Sequence, residues 1–152
     1  MSVESTMYVR NNLTPRDTLE MITNSLTERF LITERSTDSG STFDATNPER
    51  GFIFCRAASS RIANHINNRL GFSPNISITF KATEYLENQF IHFVNNISED
   101  ATWDIVLLMY DSFILLVKRG TEFELNENRG YWNPKQIELV KFPYKFRYLE
   151  DL

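Results

Sequence analysis

The spacing of apolar residues divides the chain into short strands and helices. Strands are indicated where β-branched and aromatic residues cluster, and the clearest case places Ile76, Ile78 and Phe80 in alternation with polar residues. The apolar run FIFC at 52–55 lacks this alternation, which predicts a short strand with both faces buried. The expected strands in this part of the chain cover residues 3–10, 30–35, 52–55 and 76–81.

Four helices are predicted from apolar residues that lie three and four positions apart. Two of them begin at a capping residue followed by proline, Thr14-Pro15 and Asn133-Pro134, which suits the first turn of a helix. The helix predicted at 84–98 has the widest apolar stripe and is expected to be a main core helix. The predicted helices cover residues 15–26, 60–70, 84–98 and 134–141.

The last third of the chain predicts an antiparallel β-meander. Two strongly apolar runs, 104–110 and 113–118, are separated by two polar residues, as in a β-hairpin. A third strand is expected at 122–126, and a last extended segment at 144–149. The order of elements therefore predicts an α+β fold. We expect a largely antiparallel sheet with three to four helices packed on it, on one face or on both, and the C-terminal meander followed by a short helix.

The segment 36–50 interrupts this pattern. It is polar, contains Gly40 and Pro48, and has Phe43 as its single large hydrophobic residue, which predicts a flexible loop or a weak strand pair. A chain of 152 residues has the usual size of one domain. Residues 1–152 are therefore expected to form a single domain that contains this flexible loop.

Composition narrows the class of protein. Hydrophobic residues make up 41% and charged residues 24% of the chain, as in ordinary globular domains. The apolar runs fall far short of the roughly 20 residues that cross a membrane, and the first residues lack the features of a secretion signal. The single cysteine excludes an internal disulfide and fits a reducing compartment. We expect a cytoplasmic protein without membrane insertion, and the net charge of −4 argues against a nucleic-acid partner.

The charges are segregated along the chain. Residues 82–117 contain six acidic and no basic residues, whereas residues 50–81 contain five basic and no acidic residues. This segregation indicates either an acidic surface that steers a basic partner, or solvated faces that compensate each other after folding. Arg61, Asn64 and Asn68 share one side of a predicted helix and could contact phosphate, although solvent exposure is the simpler explanation.

The chain offers little catalytic chemistry. It has no glycine-rich phosphate loop, nucleophile elbow or zinc-binding helix motif. His65 and His92 lie in predicted helices without a second metal ligand at a suitable spacing, and Cys55 lies in an apolar strand where an inert thiol is expected. These observations predict no enzyme, cofactor or metal. The alternative is a small-ligand-binding protein or enzyme in which a histidine and a carboxylate share a pocket between helices and sheet.

The chain carries a series of cap, turn and strand motifs that together form one pattern. The residues that carry them are Asp104, Val106, Leu107 and Leu108 in the hairpin, Lys118 and Arg119 in a basic turn, Phe123, Leu125 and Asn126 in the next strand, Trp132, Pro134 and Ile137 around the last helix, and Pro143-Tyr144. The segments NLTP at 12–15 and GFSP at 71–74 belong to the same pattern. Together they resemble the Sit-type immunity family, small bacterial proteins associated with polymorphic toxins that kin cells exchange. The sequence departs from that pattern at 111–113 and at Asn133.

The resemblance implies a non-enzymatic, cofactor-free bacterial protein that binds and neutralises a cognate protein toxin. We expect the contact surface among acidic and aromatic residues that the core does not need, because interfaces concentrate their energy in aromatic anchors within a charged rim. The expected residues are Glu84, Glu87, Asp111, Glu122, Glu124, Glu127 and Tyr131. Such an acidic set suits a basic toxin. The extended segment 144–149 could also supply an edge strand for a homodimer.

Overall fold

Within the residues that a computed structural model of the protein describes, the chain forms one nine-stranded sheet and four helices. The described residues are 3–26, 29–38, 40–49, 51–82, 84–110, 112–127 and 132–152, with the side chains of residues 3 and 82–89 left out. The strands are β1 (Val3–Arg10), β2 (Leu31–Thr37), β3 (Gly40–Asn47), β4 (Gly51–Ala57), β5 (Ile76–Ala82), β6 (Asp104–Met109), β7 (Phe113–Arg119), β8 (Glu122–Asn126) and β9 (Lys145–Arg147). The helices are α1 (Pro15–Asn24), α2 (Ser60–Leu70), α3 (Glu84–Asn96) and α4 (Pro134–Leu139).

The strand order in the sheet is β2-β3-β4-β5-β1-β6-β7-β8-β9. Neighbouring strands run antiparallel except β8 and β9, which run parallel. The first strand of the chain therefore lies in the centre of the sheet, between β5 and β6. This architecture confirms the predicted α+β fold, including the meander β6–β7–β8 and the short helix α4.

Residues 36–50 contribute to a hairpin formed by β2 and β3. The two strands meet at Thr37 and Gly40: the Thr37 hydroxyl donates a hydrogen bond to the Gly40 carbonyl at 2.6 Å, and Gly40 has a φ of 122°, which favours glycine. Ala45 packs into the core and Phe43 packs partly against it. Of the two structures expected for this segment, the strand pair is the one present, and it adds a strand to the predicted order.

Apolar residues cover both faces of the sheet. On β6, Ile105 and Leu107 join a core cluster that includes residues of α1 and α3, whereas Val106 and Leu108 join a second cluster with Ile66 of α2. Of the two arrangements that the sequence leaves open, the helices adopt the second, with α2 on the face opposite α1 and α3. The physical reason is that the central strand β6 is apolar on both sides, so each side needs a helix to exclude water.

The starts of α1 and α4 follow the capping residues that the sequence predicts. The Thr14 hydroxyl accepts a hydrogen bond from the Asp17 amide at 3.1 Å. Asn133 and Gln136 form a reciprocal capping box at the start of α4. Gly71, with a φ of 84°, ends α2 in the left-handed conformation. None of the described helices combines the length and the apolar character that a membrane crossing requires.

A buried lysine holds the meander to the loop that precedes it. Lys118 is 0% exposed, and its Nζ donates hydrogen bonds to the carbonyl oxygens of Asp100 at 2.7 Å and Trp103 at 2.5 Å, and also to the carbonyl oxygen of Gly120. The Asp104 carboxylate accepts a hydrogen bond from the Gly120 amide at 2.8 Å. These contacts tie the β7–β8 turn to the segment between α3 and β6.

A buried asparagine ties the C-terminal segment to the sheet. The Asn126 side-chain amide donates hydrogen bonds to the carbonyl oxygens of Ile114 at 2.7 Å and Leu149 at 3.1 Å. Asn126 is 2% exposed, so both partners lie inside the protein. Lys118 and Asn126, which both belong to the motifs of the sequence resemblance, thus hold the fold together.

Candidate partner-binding surface

The seven residues expected at a partner-binding surface lie in several parts of the chain. Glu122 and Glu124 lie on β8, and Glu127 follows that strand. Glu84 and Glu87 lie in the first turns of α3, and the structure does not describe their side chains. Asp111 and Tyr131 lie outside the described residues. Among the seven expected residues, the structure therefore describes the side chains of Glu122, Glu124 and Glu127.

Glu122 and Glu124 share one face of β8. Phe123 and Leu125, which alternate with them, are buried in the core. Glu122 is exposed, and so is Glu127 beyond the end of the strand. The alternation in the sequence correctly places both strand glutamates on the side away from Phe123 and Leu125.

Two arginines bind the Glu124 carboxylate from either side. Its Oε1 lies 2.5 Å from Nη1 of Arg119 on β7, and its Oε2 lies 3.0 Å from Nη1 of Arg147 on β9. Burial raises the pKa of the Glu124 carboxyl, but the hydrogen bonds and charges of Arg147 and Arg119 outweigh it and hold the pKa below its usual value. Arg119 Nε also donates to the Leu70 carbonyl at 2.8 Å, at the end of α2. Glu124 thus links three strands and offers a partner little free charge.

The sequence of the β7–β8 hairpin contains a signal for the pairing of Arg119 with Glu124. A short turn between β7 and β8 places Arg119 opposite Glu122, which makes Glu124 its diagonal neighbour. Arg147 gave no such signal, because its position depends on the parallel pairing of β9 with β8.

The potentially reactive side chains among the described residues lie in different elements, His65 on α2, His92 on α3 and Cys55 on β4. His65 lies on the exposed side of α2, beside a groove whose described lining contains no carboxylate: Ser59, Arg61, Ile62, Asn64, His65 and Asn68. His92 is half-buried on α3. The described part of the chain contains no group of three or more His, Cys, Asp and Glu side chains that could hold a metal ion.

Cys55 is a buried thiol in β4. Its Sγ donates to the Pro15 carbonyl at 3.2 Å, and burial raises the pKa of the thiol to about 12. A thiol with this pKa is protonated at neutral pH and is a poor nucleophile.

The sequence blocks of opposite charge both contribute strands to the sheet, and their helices lie on opposite faces of it. Residues 50–81 form β4, α2 and β5, and α2 contacts the face of the sheet opposite α1 and α3. Residues 82–117 include α3 on the other face. The separation of charge along the chain therefore places the two charged helices on opposite sides of the sheet.

The extended segment expected at 144–149 supplies β9, the last strand in the sheet order. Its three residues are exposed, and Phe146 and the following Tyr148 are 49% and 62% exposed. The opposite edge of the sheet is β2.

Comparison with known proteins identifies one matching family. The model of the family described as SitI3-like matches residues 3–136, which run from β1 into α4 and include Glu122, Glu124 and Glu127. Neither the curated proteins nor the solved structures contain a match to this chain.

Proposed function

The chain belongs to the SitI3-like family, and on that premise we propose that it is a non-enzymatic immunity protein that binds a cognate protein toxin. It neutralises the toxin by covering the toxin's active surface. The observation that carries this proposal is the family match over residues 3–136. The buried, protonated thiol of Cys55 and the exposed position of His65 are in keeping with a role in binding rather than in catalysis.

The proposed contact with the toxin includes the exposed glutamates near β8. Glu122 and Glu127 present unburied carboxylates on a meander that Lys118 and Asn126 hold rigid. A charged rim of this kind accelerates encounter with a partner of opposite sign, so the proposed toxin has a basic contact surface. The proposal extends to the remaining residues expected from the sequence, Glu84, Glu87, Asp111 and Tyr131. Glu124 is proposed to act indirectly, by holding β7, β8 and β9 in place.

The proposed setting is the bacterial cytoplasm, where the protein acts as a single domain without a cofactor. The single cysteine, a buried free thiol, is in keeping with a reducing compartment.

We also propose that β9 mediates homodimer formation, since an edge strand with exposed aromatic residues can pair with a second copy. Light scattering after gel filtration tests this proposal. A dimer that Phe146→Glu converts to monomer supports it, and a monomeric wild-type protein at high concentration contradicts it.

Affinity capture of the tagged protein from its native cells tests the proposed function. The captured partner is then expressed in a susceptible host with and without this chain. We expect a partner that arrests growth alone and is harmless when the chain is present. A harmless partner, or no stable partner, contradicts the proposal and turns attention to a small-molecule ligand, which a thermal-shift screen detects.

A further inference from the structure

Two aromatic residues of β4, Phe52 and Phe54, belong to neither core cluster. Ile53 and Cys55 of β4 lie in the cluster shared with α1 and α3, so Phe52 and Phe54 point to the opposite face. The two rings are half-buried, and their centroids lie 5.6 Å apart. The expectation that the run FIFC at 52–55 is buried on both faces is therefore wrong for Phe52 and Phe54.

The reason is the position of α2. This helix occupies the same face, but its Ile66 packs with Val106 and Leu108 of β6 and with Val117 of β7. Strand β4 lies three positions from β6 in the sheet, beyond β5 and β1. The helix therefore covers the central part of this face, and the described core clusters leave the two β4 rings out.

Two cations adjoin the aromatic pair on the sheet. Lys81 of β5 lies directly opposite Phe52, and Arg56 follows Phe54 on the same side of β4. Both cations are exposed, as is Arg61 in the first turn of α2.

Two carboxylates share this face. Asp44 lies opposite Phe54, and it is paired with Arg35 of β2 at 3.4 Å. Glu4 of β1 lies opposite Lys81. Basic residues still predominate, because β4, α2 and β5 derive from the block 50–81, which contains no acidic residue.

We propose that the open-sheet patch, defined as Phe52, Phe54, Arg56, Arg61 and Lys81, docks an acidic segment of a protein partner that carries an aromatic side chain. The segment's aromatic side chain packs on Phe52 and Phe54, and its carboxylates meet the three cations. Aromatic centres with charged rims are the usual arrangement of energetic hot spots, and opposite charge selects the partner. The patch is distinct from the glutamates near β8, and the proposal does not depend on the partner being a toxin.

A pair of synthetic peptides of equal length tests the proposal. Both carry two phenylalanines, one among aspartates and glutamates and the other among lysines. Each is titrated into the isotope-labelled full chain while amide resonances are recorded. We expect the acidic peptide to shift the resonances of β4 and β5 saturably, with affinity that falls as salt is raised. The basic peptide should leave those strands unshifted.

Two variants and a matched control make the test specific. Phe54→Thr keeps a strand-forming residue and should weaken the acidic peptide about tenfold. Arg56→Gln changes only an exposed side chain and should weaken it severalfold. Tyr110→Asn, which removes an exposed aromatic ring after β6 and suits the positive φ of that position, should have no effect.

Several results would overturn the proposal. They are no saturable shift at millimolar acidic peptide, equal shifts with both peptides, or affinity unchanged by both Phe54→Thr and Arg56→Gln. A single-stranded oligothymidylate that binds the patch more tightly than the acidic peptide would also overturn it, because aromatic residues beside cations then serve to stack bases.

Discussion

The guanidinium of Arg119 lies 2.5 Å from the carboxylate of Glu124, so two residues on neighbouring strands form a close ion pair. Arg147 binds the other oxygen of the same carboxylate at 3.0 Å. The Glu124 side chain is only 17% exposed. A residue that the sequence predicts at a partner surface is thereby committed to contacts inside the protein, and its substitution should change stability before it changes binding.

Glu124→Gln tests this role. The variant keeps the shape of the side chain but loses both ion pairs, and we expect about 1 kcal/mol less stability at neutral pH. Because the folded-state pKa of Glu124 lies below its unfolded value, the unfolded chain binds more protons in acid. This contribution is present above the usual glutamate pKa of about 4.3 and is lost as the pH falls through the folded value. The difference between wild type and variant should therefore shrink in acid.

Urea denaturation at neutral and acidic pH measures both effects. Glu122→Gln, a change at an exposed neighbour on the same strand, is the control and should leave stability unchanged within about 0.5 kcal/mol. Equal stability of wild type and Glu124→Gln at neutral pH would show that the two ion pairs contribute nothing.

Lys118→Met should be more damaging. Methionine fills much of the volume of the lysine stem, but it leaves the carbonyl oxygens of Asp100, Trp103 and Gly120 without the amine that now donates to them. The contact with Trp103 is buried and the other two are part-buried, and a buried acceptor left unpaired costs about 1–3 kcal/mol, so we expect a loss of about 2 kcal/mol. Lys81→Met, at an exposed position, is the matched control. Thermal unfolding measures both variants, and a Lys118→Met protein as stable as the control would contradict the buried amine's role.

The thiol of Cys55 should be unreactive in the native protein. Its pKa of about 12 leaves almost no thiolate at pH 8, and the side chain is 0% exposed. A thiol-specific chromogenic reagent should react only after denaturant is added, at a rate set by unfolding. Rapid modification of the folded protein at pH 8 would contradict the burial and reopen a nucleophilic role.

Glu122→Lys combined with Glu127→Lys should slow association with a basic toxin at least threefold at low salt. The reason is that both carboxylates are exposed and contribute to long-range attraction, which salt screens. The rate is measured by surface plasmon resonance at two salt concentrations. Glu34→Lys combined with Glu49→Lys, exposed changes on β2 and after β3, alters the net charge by the same amount and is the control for overall charge. An association rate that falls equally in the double variant and in the control would argue against a local acidic contact.

Local sequence signals predicted most of the elements but not their arrangement. Thr14 and Asn133 marked helix starts because a cap acts within one turn, and the apolar runs of β6 and β7 marked a hairpin because a short turn fixes antiparallel pairing. The face covered by α2 and the parallel pairing of β9 depend on contacts between distant parts of the chain. No local pattern carries that information.

The same limit applies to the candidate surface. Alternation placed Glu122 and Glu124 on one face of β8, but only the neighbouring strands show that one is exposed and the other paired. Likewise, the run FIFC gives no sign that Phe52 and Phe54 lie outside the core, because that outcome depends on where α2 docks.

The most direct test of the central claim is a titration of the purified toxin, once captured, with this protein while the toxin's activity is followed. Neutralisation by occlusion predicts loss of activity in proportion to the protein added, complete at an equimolar ratio, with active toxin recovered when the complex is dissociated. Neutralisation by a small, substoichiometric amount of the protein, or toxin that stays inactive after separation, would contradict the account and indicate an enzyme.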